Sequence, residues 1–196
     1  KTNLLTCLKS PILLRGDSRR AFRDPAVLYH DGTFHLFHSL VLTGDDDRIY
    51  WHVGVSTSTD LVHWSEPRAL TPSNQDLNYS SPGNVIRFGD EWILCFQSYC
   101  IPGYTRRQPV RFGNENCRIF LSRSRDLETW SDPEPMEVKG PRVDPGKMID
   151  PYLVEDRNEP GTWWCFFKQQ GAGYARSRDL RHWTYEGRTA AGENVC

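Results

Sequence analysis

Residues Phe22–Ser39, FRDPAVLYHDGTFHLFHS, decide the fold of this chain. They are typical of a β-hairpin that begins with an acid. Asp24-Pro25 leads into the short apolar strand Ala26–Tyr29, and Asp31-Gly32 suits the positive φ angles of a tight turn. Thr33–His38 then returns as an aromatic, β-rich strand. The stretch therefore predicts an antiparallel pair of strands with a carboxylate at its entrance.

The hairpin pattern recurs three times along the chain. Ser81 leads into a second copy that ends at Tyr99, Asp150 leads into a third that ends at Phe167, and Glu193 begins a fourth. A second phrase, Ser-x-Asp-Leu-x-x-Trp, follows each of the first three hairpins, and its aspartates lie 66 and 53 residues apart. Repeats on this scale are typical of folds built from stacked units. A hairpin, one further strand and an edge segment make about four strands, which is the content of a propeller blade.

We therefore predict an all-β fold, a β-propeller. Residues 1–196 are expected to form a single domain, because no Ser/Gly-rich linker or charged block interrupts the repeats. The blades are predicted to start near residues 22, 81, 150 and 193. The chain then contains about three blades and the start of a fourth, and we expect the domain to be incomplete at its C-terminus.

The composition argues against several classes of partner. The 24 basic and 25 acidic residues nearly cancel, so no nucleic-acid surface is expected. No apolar run approaches the roughly 20 residues of a membrane span, so no membrane partner is expected either. No signal peptide is visible, which slightly favours a cytoplasmic location, although the start Met is also absent. The sequence does not indicate an oligomeric state.

The four hairpin starts carry the candidate chemistry. In a propeller the innermost strands of all blades begin at the same face, so Asp24, Ser81, Asp150 and Glu193 should surround one pocket. Three of the four are carboxylic acids, and like charges in a partly desolvated site push pKa values apart into those of an acid and a base. The prolines that follow two of these acids are expected to hold them in extended geometry.

Turn capping is the alternative explanation for a repeated aspartate. Asp60, Asp126 and Asp179 recur with an unchanged Leu-x-x-Trp, which indicates the packing of a turn. The hairpin starts instead vary between Asp, Ser and Glu within similar hairpins. We therefore favour a functional role for the hairpin starts and a structural role for the second phrase.

Three further side chains are candidates for binding substrate hydroxyl groups. They lie on the second strands of the hairpins, near the ends that reach the pocket: His38, Gln97 and Lys168. For His38, a hydrogen-bonded structural role within the strand is the favoured alternative. No pair of histidines has helical metal-binding spacing, so no metal site is predicted from the histidines.

Two polar loops have both a functional and a solvated-loop interpretation. Ile101–Asn116 contains Arg106, Arg107 and Arg111, which could bind an anionic or hydroxyl-rich ligand at the rim of the pocket. Gly44–Arg48 is acidic and could hold a structural calcium ion. Because its spacing differs from that of known calcium loops, a solvated loop is favoured there.

The motifs FRDPAV, MIDPYLV and GENVC, in this order, resemble the three acidic motifs of the family-43 glycoside hydrolases and of related five-bladed propellers. The Ser-x-Asp-Leu-x-x-Trp phrases add to the resemblance, which covers nearly the whole chain. It implies a five-bladed β-propeller glycosidase that needs no cofactor. It also implies that Asp24 is the general base, that Asp150 orients the general acid and tunes its pKa, and that Glu193 is the general acid.

The resemblance implies an oligosaccharide or glycoside substrate, with an arabinofuranoside or a xyloside as the first candidate. Arg23-Asp24-Pro25 is also similar to a motif of the fructan-cleaving propellers, which retain configuration. In those enzymes it is the middle motif, and their Asn-Asp-Pro-Asn first motif is missing here, so we favour inversion.

Two alternatives to hydrolysis stay open. A sugar phosphorylase on the same propeller would need a cationic cluster for phosphate, for which Arg106, Arg107, Arg111 and Lys168 are the candidates. A propeller that binds glycans without cleaving them is the other alternative. Dependence of turnover on phosphate, or binding without turnover, would distinguish them.

Overall fold

The computed structural model of the chain describes residues 12–140 and 146–189. Every regular element in these two ranges is a β-strand. The strands are β1 Arg20–His30, β2 Thr33–Thr43, β3 Ile49–Ser58, β4 Arg68–Ala69, β5 Tyr79–Ser80, β6 Val85–Phe88, β7 Glu91–Ser98, β8 Ile119–Ser124, β9 Glu134–Pro135, β10 Val138–Lys139, β11 Ile149–Glu155, β12 Trp163–Lys168, β13 Ala172–Ser177 and β14 Trp183–Thr189. None of the described residues forms a helix long and apolar enough to cross a membrane.

The strands form three sheets, one for each complete repeat. The first has the order β1-β2-β3-β4. The second has the order β5-β7-β8-β9, and β6 also pairs with β7. The third has the order β11-β12-β13-β14-β10. All pairs are antiparallel except that of β10 with β14. The prediction of an all-β propeller is confirmed, with three blades in the described residues.

The first hairpin forms as its sequence predicts. Asp31 and Gly32 have φ angles of 45° and 80°, which match the positive values required at both central positions of a type I′ turn. Such turns follow the natural twist of the flanking strands, so β1 and β2 pair along nearly their whole length. The start of the fourth hairpin, near residue 193, lies outside the described residues.

Alternate residues of β7 hold the second blade to its two neighbours. Leu94 and Phe96 belong to a buried cluster shared with the first blade, whereas Ile93 and Cys95 belong to a cluster shared with the third. Successive side chains of a strand point to opposite faces, so one strand serves both clusters. Burying a large apolar side chain stabilises the fold by about 1.5–3 kcal/mol. The blades therefore stack through continuous apolar layers that fix their relative positions.

The Ser-x-Asp-Leu-x-x-Trp phrases are turn caps, as predicted. The Ser124 Oγ accepts the Leu127 N–H at 2.9 Å, and the Asp126 carboxylate accepts the N–H groups of Glu128 and Thr129 at 2.9 and 2.7 Å. The Trp130 indole donates to the Leu127 carbonyl at 3.2 Å. The first phrase repeats all of these contacts, and the third repeats those of its serine and its aspartate. These aspartates therefore stabilise turns at the exposed surface.

The third blade differs from the simple repeat at its outer edge. Its strand β14 has seven residues, whereas the corresponding strands β4 and β9 have two each. The Pro-rich connection that precedes this blade supplies β10, which pairs with β14 and gives the sheet a fifth strand. A two-residue strand has no periodicity, so the sequence offered no signal for β10.

Candidate active site

A cavity of about 540 Å³ opens where the first strands of the three blades begin. Its polar lining includes five of the seven residues that the sequence identified: Asp24, Ser81, Gln97, Asp150 and Lys168. The remainder of the lining is Arg23, Trp51, Tyr99, Phe112, Glu115, Gly146, Lys147, Ile149, Gln169 and Gln170. The three described hairpin starts thus meet at one site.

Each hairpin start has a strained backbone that turns its side chain into the cavity. The φ angles of Asp24, Ser81 and Asp150 are 51°, 46° and 53°, in the left-handed region that residues other than glycine rarely adopt. The strand register shifts at these points in the first and third blades, as in a β-bulge. Such strain costs about 1–3 kcal/mol per residue and concentrates at functional sites.

The expectation that Pro25 and Pro151 hold the preceding aspartates in extended geometry is therefore wrong. The bulge demands a left-handed residue, and aspartate is among the few that tolerate this conformation. The prolines follow directly and continue the strand. The unusual geometry aims each carboxylate inward, where an extended residue would place it across the sheet.

Asp24 is held by two serine hydroxyl groups. The Ser39 Oγ donates to Asp24 Oδ2 at 2.6 Å, and the Ser81 Oγ donates to the same oxygen at 3.2 Å. The Ser81 backbone N–H donates in turn to the Ser39 hydroxyl at 2.8 Å. The Asp24 side chain keeps 29 % of its surface exposed, towards the cavity. One carboxylate oxygen is thus fixed, while the other is left to interact with a ligand.

Asp150 lies in a less solvated position. Burial raises the pKa of its carboxyl group, the negative charge of Asp24 raises it further, and the ammonium group of Lys168 acts in the opposite direction. The backbone N–H of Asp150 donates to the Gln97 Oε1 at 2.5 Å, and Gln97 itself is only 2 % exposed. Gln97 therefore anchors the backbone at this hairpin start across the blade boundary.

The raised pKa predicts that the Asp150→Asn variant is more stable than the wild type at neutral pH. Because the pKa of this carboxyl group is higher in the folded state, stability falls as the pH rises from the ordinary value to the raised one, and the whole loss is present above the raised pKa. The advantage of the variant should shrink as the pH falls towards the ordinary value of 3.8, because Asp150 is then protonated in both states. Thermal unfolding of both proteins across this pH range tests the prediction, and a destabilised variant at pH 7 would contradict it.

An aromatic wall with a cation at each end forms one side of the cavity. Trp51 stacks on Tyr99 with ring centroids 5.4 Å apart and an angle of 23° between the ring planes. The Arg23 guanidinium lies 5.4 Å from the Trp51 ring, and the Lys147 ammonium lies 5.4 Å from the Tyr99 ring. We call these four residues the cationic wall. Stacking and cation–π contacts of this kind hold the four side chains in place.

His38 does not line the cavity, contrary to the prediction. It is 2 % exposed, its ring packs edge-on against Phe22, and burial lowers its pKa. The adjacent residue, Ser39, is the one whose side chain reaches Asp24. Ser39 is buried as well and is not part of the cavity lining, so it acts on the site through its hydrogen bond to Asp24.

The arginines of the long loop do not form an anion site on the cavity. Arg106 and Arg107 pair with Asp47 of the acidic loop at 3.4 and 2.8 Å, and Arg111 donates to the Pro102 carbonyl. The acidic loop is thus tied to the arginine loop, and in the described residues no group of three or more His, Cys, Asp or Glu could hold a metal ion. The cations that do line the cavity are Arg23, Lys147 and Lys168.

Glu193, the predicted general acid, lies outside the described residues. Its role stays a prediction from its motif.

The sequence did not identify the cationic wall, because its members come from three blades. Arg23 is adjacent to Asp24, which is the only local signal of its position. Trp51, Tyr99 and Lys147 lie outside the hairpin starts, on β3, after β7 and before β11. Only the packing of one blade on the next brings these residues to a single cavity.

Comparisons with known proteins identify the family. The model described as glycosyl hydrolases family 32 N-terminal domain matches residues 18–195. No curated protein matches the chain. The matching model is therefore that of family 32, whereas the sequence motifs resemble those of family 43. Membership of family 43 is not confirmed.

Solved structures similar to the chain share its fold at low sequence identity. An N-acetylgalactosamine deacetylase from F. plautii has a TM-score of 0.67 at 14 % identity, with 91 % of this chain and 56 % of the other covered. The catalytic domain of a family 62 α-L-arabinofuranosidase from Coprinopsis cinerea has a TM-score of 0.58 at 17 % identity, with 90 % of this chain and 55 % of the other covered. An exo-1,5-α-L-arabinanase from a bovine ruminal metagenomic library has a TM-score of 0.57 at 19 % identity, with 89 % of this chain and 56 % of the other covered.

The chain thus spans little more than half the length of these proteins, and at such identities the similarity shows the fold alone. The family model carries more weight, because it spans most of the sequence, from the first blade to the fourth hairpin start. The chain belongs to the glycosyl hydrolases family 32 N-terminal domain family.

Proposed function

We propose that the protein hydrolyses glycosidic bonds at the cavity where the hairpin starts converge. The observation that carries this proposal is the meeting of Asp24 and Asp150 in one cavity, with different hydrogen-bond environments. Glycosidases use paired carboxyl groups whose environments separate their roles. Membership of a glycosyl hydrolase family supports the same chemistry.

In the proposed mechanism Asp24 acts on the nucleophile. Two serine hydroxyl groups fix one of its oxygens, so the other can accept a proton from water as that water attacks the anomeric carbon. Glu193 donates a proton to the leaving oxygen as the glycosidic bond breaks. Asp150, less solvated and beside Lys168, holds the sugar and tunes the pKa of Glu193. No redox cofactor takes part in these steps.

Cleavage with retention is the second candidate mechanism, because the fructan-cleaving propellers, one of whose motifs is similar to Arg23-Asp24-Pro25, retain configuration. Asp24 would then attack the anomeric carbon as the glycosidic bond breaks and Glu193 protonates the leaving oxygen. Water, deprotonated by Glu193, would afterwards break the bond between the sugar and Asp24. The carboxyl groups of Asp24 and Glu193 would be about 5–5.5 Å apart for retention and about 6.5–9.5 Å apart for inversion. The anomer that forms first, followed by NMR, distinguishes the two mechanisms.

An arabinofuranoside is the first substrate candidate, with a xyloside next. Two proteins of similar fold are named as an arabinanase and an arabinofuranosidase, which supports this order. Gln97 and Lys168 are the proposed partners of sugar hydroxyl groups, because both line the cavity beside Asp150.

A panel of aryl glycosides and oligosaccharides tests the proposal. We expect turnover of at least one member and a loss of roughly 10²–10⁴-fold in the Glu193→Gln variant, because that change removes the general acid. The Asp179→Asn variant is a matched control, since Asp179 caps a surface turn. Binding without turnover across the panel would favour a glycan-binding propeller, and turnover only with added phosphate would favour a phosphorylase.

A further inference from the structure

The cavity lining combines three cations, Arg23, Lys147 and Lys168, with the carboxylates of Asp24, Asp150 and Glu115. Hydroxyl groups are bound by hydrogen bonds and aromatic faces, without a need for charged partners. In the described part of the chain, the shortest carboxylate contact of the cavity cations is that of Arg23 with Asp24, at 3.9 Å. The Lys147 ammonium donates to the Gly113 carbonyl at 2.9 Å instead of to a carboxylate. The charges at both ends of the wall are therefore available to a ligand.

The geometry of the wall holds these charges in place. Stacking between Trp51 and Tyr99 fixes the aromatic surface, and each cation rests on one ring. The arginine side chain is 59 % exposed, so its planar fork of N–H groups remains open to the cavity. Arginine binds planar or tetrahedral oxyanions through paired hydrogen bonds, which a sugar hydroxyl group cannot match. The glutamate on this side, Glu115, accepts the backbone N–H of Lys147.

We propose that the cavity selects glycans that carry anionic groups, carboxylates or sulfate or phosphate esters, and that Arg23 and Lys147, at the two ends of the cationic wall, bind these groups. The proposal rests on the proposed function, since it names the class of substrate for the same site. The anionic groups lie towards the cationic wall, while the scissile bond lies towards Asp24 and Asp150. Free phosphate offers the same chemistry, so the experiment has to separate the two sources of the oxyanion.

Equilibrium binding to matched pairs of oligosaccharides tests the proposal. Each pair has one backbone, without and with uronate or sulfate ester groups. The Glu193→Gln variant serves as the binding form, so that no ligand is consumed and the contact of Arg23 with Asp24 is kept. We expect the anionic member of at least one pair to bind about tenfold more tightly or better, because hydrogen bonds between charged groups are stronger than neutral ones. The preference should fall as the salt concentration rises.

The wall residues should account for this preference. Arg23→Gln and Lys147→Gln are each expected to weaken binding of the anionic member about tenfold, with little change for the neutral one. Arg107→Gln is the matched control, since Arg107 pairs with Asp47 away from the cavity. A separate experiment adds inorganic phosphate to a glycan and measures the release of a sugar phosphate. Release that depends on phosphate would show that the wall binds free phosphate, and would overturn the proposal of an anionic glycan.

Two outcomes separate this proposal from the proposed function. Turnover of neutral glycans alone, unchanged by Arg23→Gln and Lys147→Gln, would overturn the anionic substrate and leave glycoside hydrolysis standing. The wild-type protein could instead bind an anionic glycan tightly through Arg23 and Lys147 without cleaving it. That result would support anion binding by the cationic wall and overturn the proposal of hydrolysis. Equal binding of both members in every pair would also overturn the proposal.

Discussion

The Asp24→Asn variant is expected to lose turnover by roughly 10²–10⁴-fold, because the amide can neither accept a proton from water nor attack a sugar. The loss should appear mainly in kcat, since the variant keeps Lys168 and the rest of the cavity lining. Initial rates on any glycoside that the wild type cleaves provide the measurement.

The control for this prediction is Asp126→Asn. Asp126 occupies a repeated motif like Asp24 but caps a turn at the surface, so its loss should affect stability and leave turnover within a small factor. Both variants should keep the β-sheet circular dichroism of the wild type. Wild-type rates in the Asp24 variant would remove this residue from the mechanism, whichever stereochemistry applies.

The Gly83→Ala variant is expected to have the largest effect on stability. A Cβ atom at this position would lie 1.7 Å from the Pro151 carbonyl oxygen and 2.9 Å from the Cys95 sulfur. The first contact is with backbone, so it can be relieved only by moving the second blade away from the third. We expect a loss of about 3 kcal/mol or more in the free energy of unfolding, at the upper end of overpacking effects. Denaturant titration measures it.

The same change should disturb the site, because Pro151 directly follows Asp150. Asn84 adds to this junction: its side-chain amide donates to the Leu153 carbonyl at 2.9 Å and its Oδ1 accepts the Leu153 N–H at 3.0 Å. Gly89→Ala is the control, since its Cβ would meet no atom within 4 Å and only its φ of 60° opposes alanine, at about 1–2 kcal/mol. Equal stability of the two variants would contradict the tight junction between blades.

The hairpins could be predicted from the sequence because their signals are local. Asp31-Gly32 specifies its own turn, and Val85–Phe88 is flanked by turn residues on both sides, so the strands follow from nearby residues alone. The same local pattern recurs in each repeat. Equivalent hairpin starts such as Asp24 and Asp150 can therefore be placed on one face of the propeller without long-range information.

The cavity wall could not be predicted in the same way. The stacking of Trp51 on Tyr99 depends on how the first blade packs against the second, and neither residue has a neighbour that indicates it. Arg106 and Arg107 illustrate the opposite error, since their charges suggested a ligand until the packing of two loops paired them with Asp47. Charge alone predicts what a side chain can bind, and the fold decides which partner it meets.

The exchange of His38 for Ser39 has a related cause. Histidine has richer chemistry than serine, and the inward end of β2 could be located only to within one residue. The bulge at Asp24 brings its carboxylate to the Ser39 hydroxyl group, and no rule based on proline predicts that bulge. The site therefore depends on local backbone strain, which could not be predicted from the sequence.

A crystal structure of the Asp24→Asn variant, with an oligosaccharide that the wild type cleaves, tests the central claim most directly. Our account predicts a sugar ring in the cavity of about 540 Å³, with its anomeric carbon facing residue 24 and its hydroxyl groups near Asp150 and Lys168. An oligosaccharide bound at the outer edges of the blades, with this cavity empty of sugar, would contradict the claim that the hairpin starts form the active site.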